Sequence, residues 1–262
     1  MKNYKLNSNV IKYKEIDSTN NEAVRLLDKK KSFPYWIVAE KQTAGKGRKN
    51  RYWDSLVGNF MGTYVIEINL ERKFLPQLAF VSALAIYETI QKFISKNNEK
   101  IIQLKWPNDL ILNKSKCGGV LIENISSKKE NKHIIAIGIG INLIKSPSET
   151  TFPSCNIFQE TNIKINPDEF LFELDKNIIN KINFWNNGLN YGAILEQWTE
   201  KAFLLKKEIS VTLPNGKKEK GIFSSIDSEG GLILETKNNE KIFYAAEIFA
   251  VSYTHLRAHE TS

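Results

Sequence analysis

The chain has 262 residues, of which 42% are hydrophobic and 25% charged, and this balance excludes an intrinsically disordered or collagen-like protein. Its formal net charge of +8 indicates an anionic partner, and composition leaves open whether this is a nucleic acid, a phosphate compound or an acidic protein. Two cysteines, Cys117 and Cys155, are too few for a disulfide framework, so we expect reduced thiols. No apolar stretch has the length of a signal peptide or a membrane span, which favours a cytoplasmic protein.

The first half of the chain is predicted to alternate between strands and helices. A capping-box spacing at 19–22 predicts a helix that ends near Lys31, and residues 35–39 predict a short buried strand. The polar, glycine-containing stretch 41–53 shows neither the hydrophobic periodicity of a helix nor that of a strand, and it is predicted to be a loop. The elements predicted after it are a strand at 60–70, a helix opened by proline at 76–94, and strands at 101–106, 110–113, 119–123 and 133–143.

The second half begins with a strong helix start. Asn166 supplies a cap with proline directly after it, and the apolar positions carry this helix to about Trp185. After a second helix near 191–201, short strands separated by tight turns are predicted at 209–213, 221–226, 232–235 and 241–244. Such strands are typical of a small antiparallel barrel, so we place a domain boundary near residue 205.

The end of the chain is electrically neutral. Residues 200–250 hold eight basic and eight acidic side chains and residues 251–262 hold one of each, so the whole excess of +8 lies in residues 1–199. Residues 251–262 continue no recognisable pattern, and we expect a tail that is not native. Within it His255 and His259 have a spacing that can chelate a metal on a helix, but no third ligand accompanies them.

Five cations cluster in the predicted loop between Lys41 and Arg51, among the glycines Gly45 and Gly47. A flexible backbone with so many donors can wrap an anionic ligand and close over it. A solvated charged loop is the alternative, and composition alone favours it. The stretch is not a Walker loop, because Lys46 lies between the glycines and no Ser or Thr follows at the required spacing.

Three further stretches place polar residues or glycines beside strands. Residues 105–109 predict a type I turn, although Asn108 and Asp109 can also hold magnesium with substrate phosphates. A lysine before paired glycines at 116–119 suits either a carboxylate or phosphate ligand or a surface lysine beside a bulge. The stretch 138–142 lacks the third glycine and the helix of a dinucleotide-binding motif, so we expect its glycines to make room for a flat ligand.

Two further observations narrow the chemistry. The stretch 15–20 predicts a helix cap, and the free N–H groups at a helix start can also contact a ligand. The sequence shows no Ser-His-Asp or Cys-His arrangement that would supply a nucleophile with its base. His133 lies in an apolar strand, where a structural histidine is expected. A hydrolase that works through a nucleophile is therefore disfavoured.

In combination, these stretches resemble the biotin protein ligase family. The motifs, in chain order, are Asp-Ser-Thr-Asn at 17–20, Gln-x-x-Gly-Lys-Gly-Arg at 42–48, Lys-Trp-Pro-Asn-Asp at 105–109, Lys-x-Gly-Gly at 116–119 and Gly-x-Gly-x-Asn at 138–142. The resemblance covers about residues 12–250. It implies an α+β fold, with a mixed β-sheet flanked by helices as in class II aminoacyl-tRNA synthetases over residues 1–205 and a small SH3-like β-barrel over 206–250.

The resemblance implies two reactions. Biotin and MgATP give biotinyl-5′-AMP and pyrophosphate, and the biotinyl group then passes to a lysine of the biotin carboxyl carrier domain of a carboxylase. The first step brings two anions together, so fixed cations and magnesium must offset their repulsion. The implied partners are biotin, ATP and the carrier domain, for a monomer or homodimer without a DNA or membrane partner.

The site residues implied by the family follow its motifs. The biotin side comprises Ser18, Thr19, Asn20, Gln42, Gly45, Lys46, Gly47, Arg48, Lys116, Gly119 and Gly140. The ATP side comprises Arg48, Arg51, Trp53, Asn108, Lys116 and Asn142, with Asp109 as a magnesium ligand beside the substrate phosphates. Arg48 and Lys116 are the implied catalytic residues: Lys116 bridges the carboxylate and the α-phosphate, and the loop of Arg48 folds over the hydrolysable mixed anhydride.

The sequence departs from the family pattern in its loop and at its start. The loop more often carries Arg where Lys46 and Lys49 stand, and lysine keeps the charge but loses bidentate geometry, which bears on retention of the intermediate. Because the pattern begins near residue 12, we expect a ligase without the N-terminal winged helix-turn-helix of bifunctional members, and therefore not a transcription factor.

Two rival functions differ in what they require of the sequence. A lipoate or octanoate ligase shares the fold but not, as a rule, the motifs at 42–48 and 105–109. A basic nucleic-acid-binding protein would need basic and aromatic residues on one exposed face. The aromatic residues here lie mostly in apolar periodic runs, which disfavours that alternative.

Overall fold

The computed structural model describes residues 6–29, 32–94, 102–129, 131–148, 150–213, 216–244 and 246–250. The predicted end of the first helix at Lys31 and the tail 251–262, with His255 and His259, lie outside these residues. Across the described ranges, no helix is long and apolar enough to cross a membrane.

Seven strands form one mixed sheet, as predicted, in the order β1-β2-β3-β7-β6-β5-β4. Its strands are β1 Asn9–Ile16, β2 Tyr35–Gln42, β3 Phe60–Asn69, β4 Ile102–Lys105, β5 Asp109–Leu112, β6 Ser115–Lys129 and β7 Lys132–Ile141. β1 runs parallel to β2, and the remaining neighbours are antiparallel. Strand β1 was not predicted, because this edge strand has no fully buried residue and its lysines obscure the alternation.

Helices cover both faces of this sheet: α1 Thr19–Arg25, α2 Gln77–Phe93, α3 Ile157–Thr161, α4 Pro167–Trp185 and α5 Tyr191–Thr199. Successive residues of β2 point to opposite faces. Trp36 joins the large core formed with α2, α4 and α5, whereas Tyr35 and Ile37 join a smaller core with Ala23 of α1. Helix α1 therefore packs on the face opposite to α2 and α4.

Several predicted boundaries were wrong. Helix α1 ends at Arg25, and its N-cap is Ser18 rather than Thr19, since the Ser18 hydroxyl accepts the Asn21 N–H at 3.5 Å. Strand β6 is much longer than predicted because it pairs along the full length of β7, and this pairing cannot be read from local sequence. Helix α3 has only five residues and was not predicted.

The remaining strands form a separate five-stranded antiparallel sheet, in agreement with the predicted small barrel, in the order β11-β10-β9-β8-β12. These strands are β8 Glu208–Thr212, β9 Lys218–Ile226, β10 Leu232–Glu235, β11 Glu240–Phe243 and β12 Glu247–Ala250. The last strand, β12, was not predicted. The Trp106 indole N–H donates to the Gly230 carbonyl at 3.0 Å, which ties the turn after β4 to this sheet.

Both cysteines are buried free thiols, as predicted. The sulfur of Cys117 faces the Leu110 carbonyl at 3.6 Å, and that of Cys155 faces the Leu112 carbonyl at 3.4 Å. Burial raises the pKa of both thiols, that of Cys155 to about 12. Neither thiol is therefore an activated nucleophile at neutral pH.

A buried carboxylate joins the N-terminal strand to the helical layer. Asp175 of α4 has no exposed surface and accepts the backbone N–H groups of Asn7 and Ser8, at 2.7 and 3.3 Å. Its second oxygen accepts the Trp36 indole N–H at 2.9 Å. A carboxylate is an acceptor only, so this residue satisfies three donors that burial separates from water.

Asp175→Ala should lower the free energy of unfolding by about 3 kcal/mol, because it leaves buried donors without an acceptor. Urea unfolding measures the change. Asp168→Ala is the matched control on the same helix, since the ion pair of Asp168 with Lys12 is exposed and worth less than about 0.5 kcal/mol. Equal effects of the two substitutions would contradict the anchoring role of Asp175.

Candidate active site

The predicted site residues meet around one cavity of about 660 Å³. Those that line it are Ser18, Thr19, Asn20, Gln42, Lys46, Gly47, Arg48, Arg51, Trp53, Asn108, Asp109, Lys116, Gly119, Gly140 and Asn142. Gly45 is not among the lining residues. A Cβ atom at Gly45 would lie 2.5 Å from the Trp53 carbonyl oxygen, so this glycine lets the loop fold back on itself.

One end of the cavity is a cluster of neutral polar side chains. The Gln42 carbonyl oxygen accepts the Thr19 backbone N–H at 2.8 Å and lies 3.1 Å from the Thr19 hydroxyl. The Gln42 amide nitrogen donates to the Ser55 hydroxyl at 3.1 Å. Because both ends of this amide are engaged, its orientation is fixed before any ligand arrives. The stretch 15–20 contains the predicted helix cap, at Ser18, whereas the Thr19 N–H that was expected to be free for a ligand is engaged by Gln42.

The glycines of β7 make room for protein side chains. A Cβ atom at Gly140 would lie 2.4 Å from the Trp53 indole, and one at Gly138 would lie 2.6 Å from the Asn20 amide oxygen. We expected these glycines to accommodate a flat ligand directly, whereas the structure fills the space with Trp53 and Asn20. The glycines therefore shape the cavity by allowing these two side chains to lie against the sheet.

At the opposite end of the cavity, cations surround the carboxylate of Asp109. The Lys116 ammonium lies 2.6 Å from one oxygen of Asp109, and the Lys105 ammonium lies 3.8 Å from the other. Burial alone would raise the pKa of Asp109, but the charges of Lys116, Lys105 and Arg48 outweigh it and hold the pKa below its usual value. Asp109 is therefore ionised at neutral pH.

Lys105 was not predicted as a site residue, although it begins the 105–109 motif. Its side chain is buried, and its ammonium lies 4.9 Å from the ring centre of Phe152 and 5.7 Å from that of Phe249. Burial lowers the pKa of Lys105, while the charge of Asp109 opposes that shift. The sequence signal was the motif itself, but neither aromatic partner is near it in the chain.

The turn between β4 and β5 connects the paired residues Lys105 and Asp109, and its Trp106–Pro107 peptide bond is cis. Its Asn108 amide donates to the Val120 carbonyl at 2.5 Å and accepts from Arg48 at 3.2 Å. The turn thus connects the cationic loop to strand β6. Burial lowers the pKa of Arg48, which nevertheless stays far above neutrality for a guanidinium.

The cationic loop is closed by backbone hydrogen bonds. Gly47 N–H donates to the Arg51 carbonyl at 2.7 Å, and Trp53 N–H donates to the Gly45 carbonyl at 2.9 Å. Three of the five cations of this loop, Lys46, Arg48 and Arg51, line the cavity, so the loop is not merely a solvated stretch of chain. The Lys46 ammonium donates to the Asn21 side chain at 2.8 Å.

The small C-terminal sheet contributes to the cavity, which the sequence did not predict. Ala246, Glu247 and Phe249 line it, and Glu247 is ion-paired with Arg51 and lies 3.5 Å from the Lys49 ammonium. Two cations of the loop therefore have their counter-charge on the other sheet. The Asn142 amide, also in the wall, donates to the Cys155 carbonyl at 3.0 Å.

A mixed sheet whose cavity has fixed amides at one end and Lys116, Arg48 and the buried Lys105 at the other is typical of proteins that bind a ligand with a neutral polar part and an anionic part. Residues 13–142 match the model of the Biotin/lipoate A/B protein ligase family, and residues 205–251 match that of the Biotin protein ligase C terminal domain.

Named relatives extend over most of the chain. A biotin–(acetyl-CoA-carboxylase) ligase of Paracoccus denitrificans is 32% identical over 89% of this chain and 97% of its own length. The bifunctional ligase/repressor BirA of Bacillus subtilis is 28% identical over 93% of this chain and 74% of its own. The structure of the biotin protein ligase from Aquifex aeolicus in complex with biotin and ATP has a TM-score of 0.75 at 27% identity and covers 92% of this chain and 97% of that one. The chain belongs to the biotin protein ligase family.

The ion pairing of Asp109 predicts a stability change. Asp109→Asn leaves Lys105 buried without its carboxylate and should lower the free energy of unfolding by about 3 kcal/mol at pH 7. Adding Lys105→Met should restore most of that loss, because the uncompensated charge is then gone. Urea unfolding of the two single variants and the double variant measures this, and additive losses would contradict the pairing.

The same carboxylate predicts part of the acid sensitivity. The pKa of Asp109 is lower in the folded protein than in the unfolded chain, where an aspartate titrates near pH 4. The ionised Asp109 therefore stabilises the fold above that pH, and this contribution is lost as the pH falls through the lower pKa of the folded protein. Asp109→Asn should therefore show a shallower decline of stability below about pH 4 than the unmodified protein.

Proposed function

We propose that the chain is an ATP-dependent biotin protein ligase that activates biotin to biotinyl-5′-AMP and then transfers the biotinyl group to a lysine of the biotin carboxyl carrier domain of a carboxylase. The observation that carries this proposal is the single cavity with fixed amides at one end and Lys116, Arg48 and Lys105 at the other. The proposal is supported by the similarity to the Paracoccus protein, which is named a biotin–(acetyl-CoA-carboxylase) ligase, and to the Aquifex biotin protein ligase in complex with biotin and ATP.

In the first step, a carboxylate oxygen of biotin attacks the α-phosphorus of ATP, the bond to the β-phosphate breaks, and pyrophosphate leaves. Lys116 and Arg48 are proposed to hold the two anions together and to offset the charge on the phosphoryl oxygens. Lys116 is paired with Asp109 at 2.6 Å, so its ammonium is already held at the cationic end. In the second step, the lysine amine of the carrier attacks the acyl carbon, and AMP leaves with the electron pair of the broken C–O bond.

The remaining site residues follow from this arrangement. The ring end of biotin is proposed to contact Ser18, Thr19, Asn20 and Gln42, with Gly45, Lys46, Gly47, Gly119 and Gly140 shaping the walls around it. Arg51, Trp53, Asn108 and Asn142 are proposed to form the ATP side. Lys105, buried at that end, is added to the phosphate-binding cations.

Magnesium is proposed to enter with the ATP phosphates, beside Asp109. This ion typically takes only one or two protein carboxylates together with phosphate oxygens, and the Asp109 carboxylate beside the cations would suit that pattern. Asp109 would hold the ion, which would offset charge on the phosphates, and both of its oxygens also face lysines.

The broader setting is proposed on the same basis. Residues 1–205 are taken as the catalytic domain and 206–250 as the SH3-like domain, in a cytoplasmic monomer or homodimer that has no DNA partner. The carrier domain is the proposed protein partner. The zero net charge of residues 200–250 and the cations of the loop that line the cavity support an anion-binding site in the larger part of the chain.

Biotin-dependent exchange of labelled pyrophosphate into ATP tests the first reaction without any knowledge of the carrier. We expect exchange with biotin and none with lipoate. Exchange with lipoate alone would replace this proposal by a lipoate ligase, and exchange with neither would refute both.

Arg48→Ala should reduce retention of the activated intermediate by about tenfold or more, because the loop then lacks the guanidinium that lies against Asn108 beside the cavity. Gel filtration of the enzyme after reaction with labelled biotin and ATP measures the bound fraction. Arg72→Ala is the matched control on an exposed turn outside the cavity and should retain the intermediate normally. Unchanged retention of the intermediate by Arg48→Ala would contradict the proposal that the loop of Arg48 folds over it.

A further inference from the structure

Asn20 lies at the neutral end of the cavity with both ends of its amide engaged. Its nitrogen donates to a carboxylate oxygen of Glu123 on β6 at 2.6 Å. Its carbonyl oxygen accepts from the hydroxyl of Thr63 on β3 at 2.5 Å. The amide lies directly over Gly138, where any side chain would collide with it. Three neighbouring strands of the sheet thus define the position of one buried side chain.

The carboxylate decides which way this amide points. A hydroxyl can donate or accept, so Thr63 alone would tolerate either orientation of Asn20. A carboxylate accepts only, and an amide oxygen turned toward Glu123 would meet a negative charge. The amide nitrogen of Asn20 must therefore face Glu123, and its oxygen is left on the side of Thr63.

The fixed polarity extends to the next residues of the wall. The Thr63 hydroxyl lies 2.8 Å from that of Thr19, which in turn lies 3.1 Å from the Gln42 amide oxygen. The Gln42 oxygen is itself fixed by the Thr19 backbone N–H. Glu123 at one end and a backbone donor at the other thus orient the two amides of this wall, so that the oxygens of Asn20 and Gln42 both face the hydroxyl groups between them as acceptors.

We propose that Glu123 is a positioning residue for biotin recognition, which it serves by orienting Asn20 and not by touching the ligand. This inference rests on the proposed function. Glu123 is not among the residues that line the cavity, whereas Asn20, Thr19 and Gln42 are. A ring with N–H donors and a carbonyl acceptor, such as the ureido ring of biotin, requires a wall whose acceptors and donors do not exchange places.

The first test compares Glu123→Gln and Glu123→Ala in the pyrophosphate exchange reaction. Glutamine keeps the shape but can offer a donor to a turned amide, and alanine removes the partner. We expect the KM for biotin to rise by about tenfold or more for Glu123→Ala and by less for Glu123→Gln, with the KM for ATP unchanged. Glu67→Ala is the matched control, since this carboxylate lies on β3 and pairs with Lys132.

The second test asks whether the effect passes through Asn20. In an Asn20→Ala background, Glu123→Ala should change the KM for biotin by less than about twofold, because the side chain that it orients is gone. An undiminished effect in that background, or an equal rise in the KM for both substrates, would overturn the positioning role. Thermal unfolding of each variant separates these results from a loss of folded protein.

Failure of this inference differs from failure of the proposed function. If the unmodified protein neither binds biotin in calorimetry nor supports exchange, the proposed function is wrong. If the unmodified protein does both and Glu123→Ala keeps the same KM for biotin, only the role of Glu123 is wrong.

Discussion

The arrangement of the cavity depends on compensation of buried positive charge. Lys105, Lys116 and Arg48 act on Asp109, and Lys105, whose side chain is buried, would destabilise the fold if left without this counter-charge. The hairpin of β4 and β5 carries both Lys105 and Asp109, which pair directly across it. This short hairpin therefore places the Asp109 carboxylate among the cations. Without it, a phosphate-bearing ligand would be needed to balance their charge.

Different kinds of interaction organise the two ends of the cavity. At the neutral end, hydrogen bonds fix the direction of amides and hydroxyls, and no formal charge is buried in the wall itself. At the cationic end, electrostatic attraction dominates, and Lys105 and Lys116 pair with Asp109 while Arg51 pairs with Glu247. A ligand with a neutral polar ring and an anionic tail finds both environments at once.

The sequence predicted the site better than the fold that surrounds it. All predicted site residues except Gly45 lie around one cavity, because the motifs occur in a specific order and place polar groups at the ends of strands. Several residues that form hydrogen bonds and ion pairs with these side chains were not predicted. Glu247 and Arg51 are almost two hundred positions apart, and Glu123 meets Asn20 across the sheet, so no local pattern records these contacts. Strand β1 was missed because its exposed lysines obscure the alternation of an edge strand.

The small C-terminal sheet lends Glu247 and Phe249 to the cavity, while Trp106 binds it through Gly230. A substitution at these residues of either sheet therefore alters contacts with the other sheet. A chimaera that joined the first part of one family member to the last part of another would have to match these side chains across the junction. The two parts of this chain are consequently poor candidates for free exchange as modules.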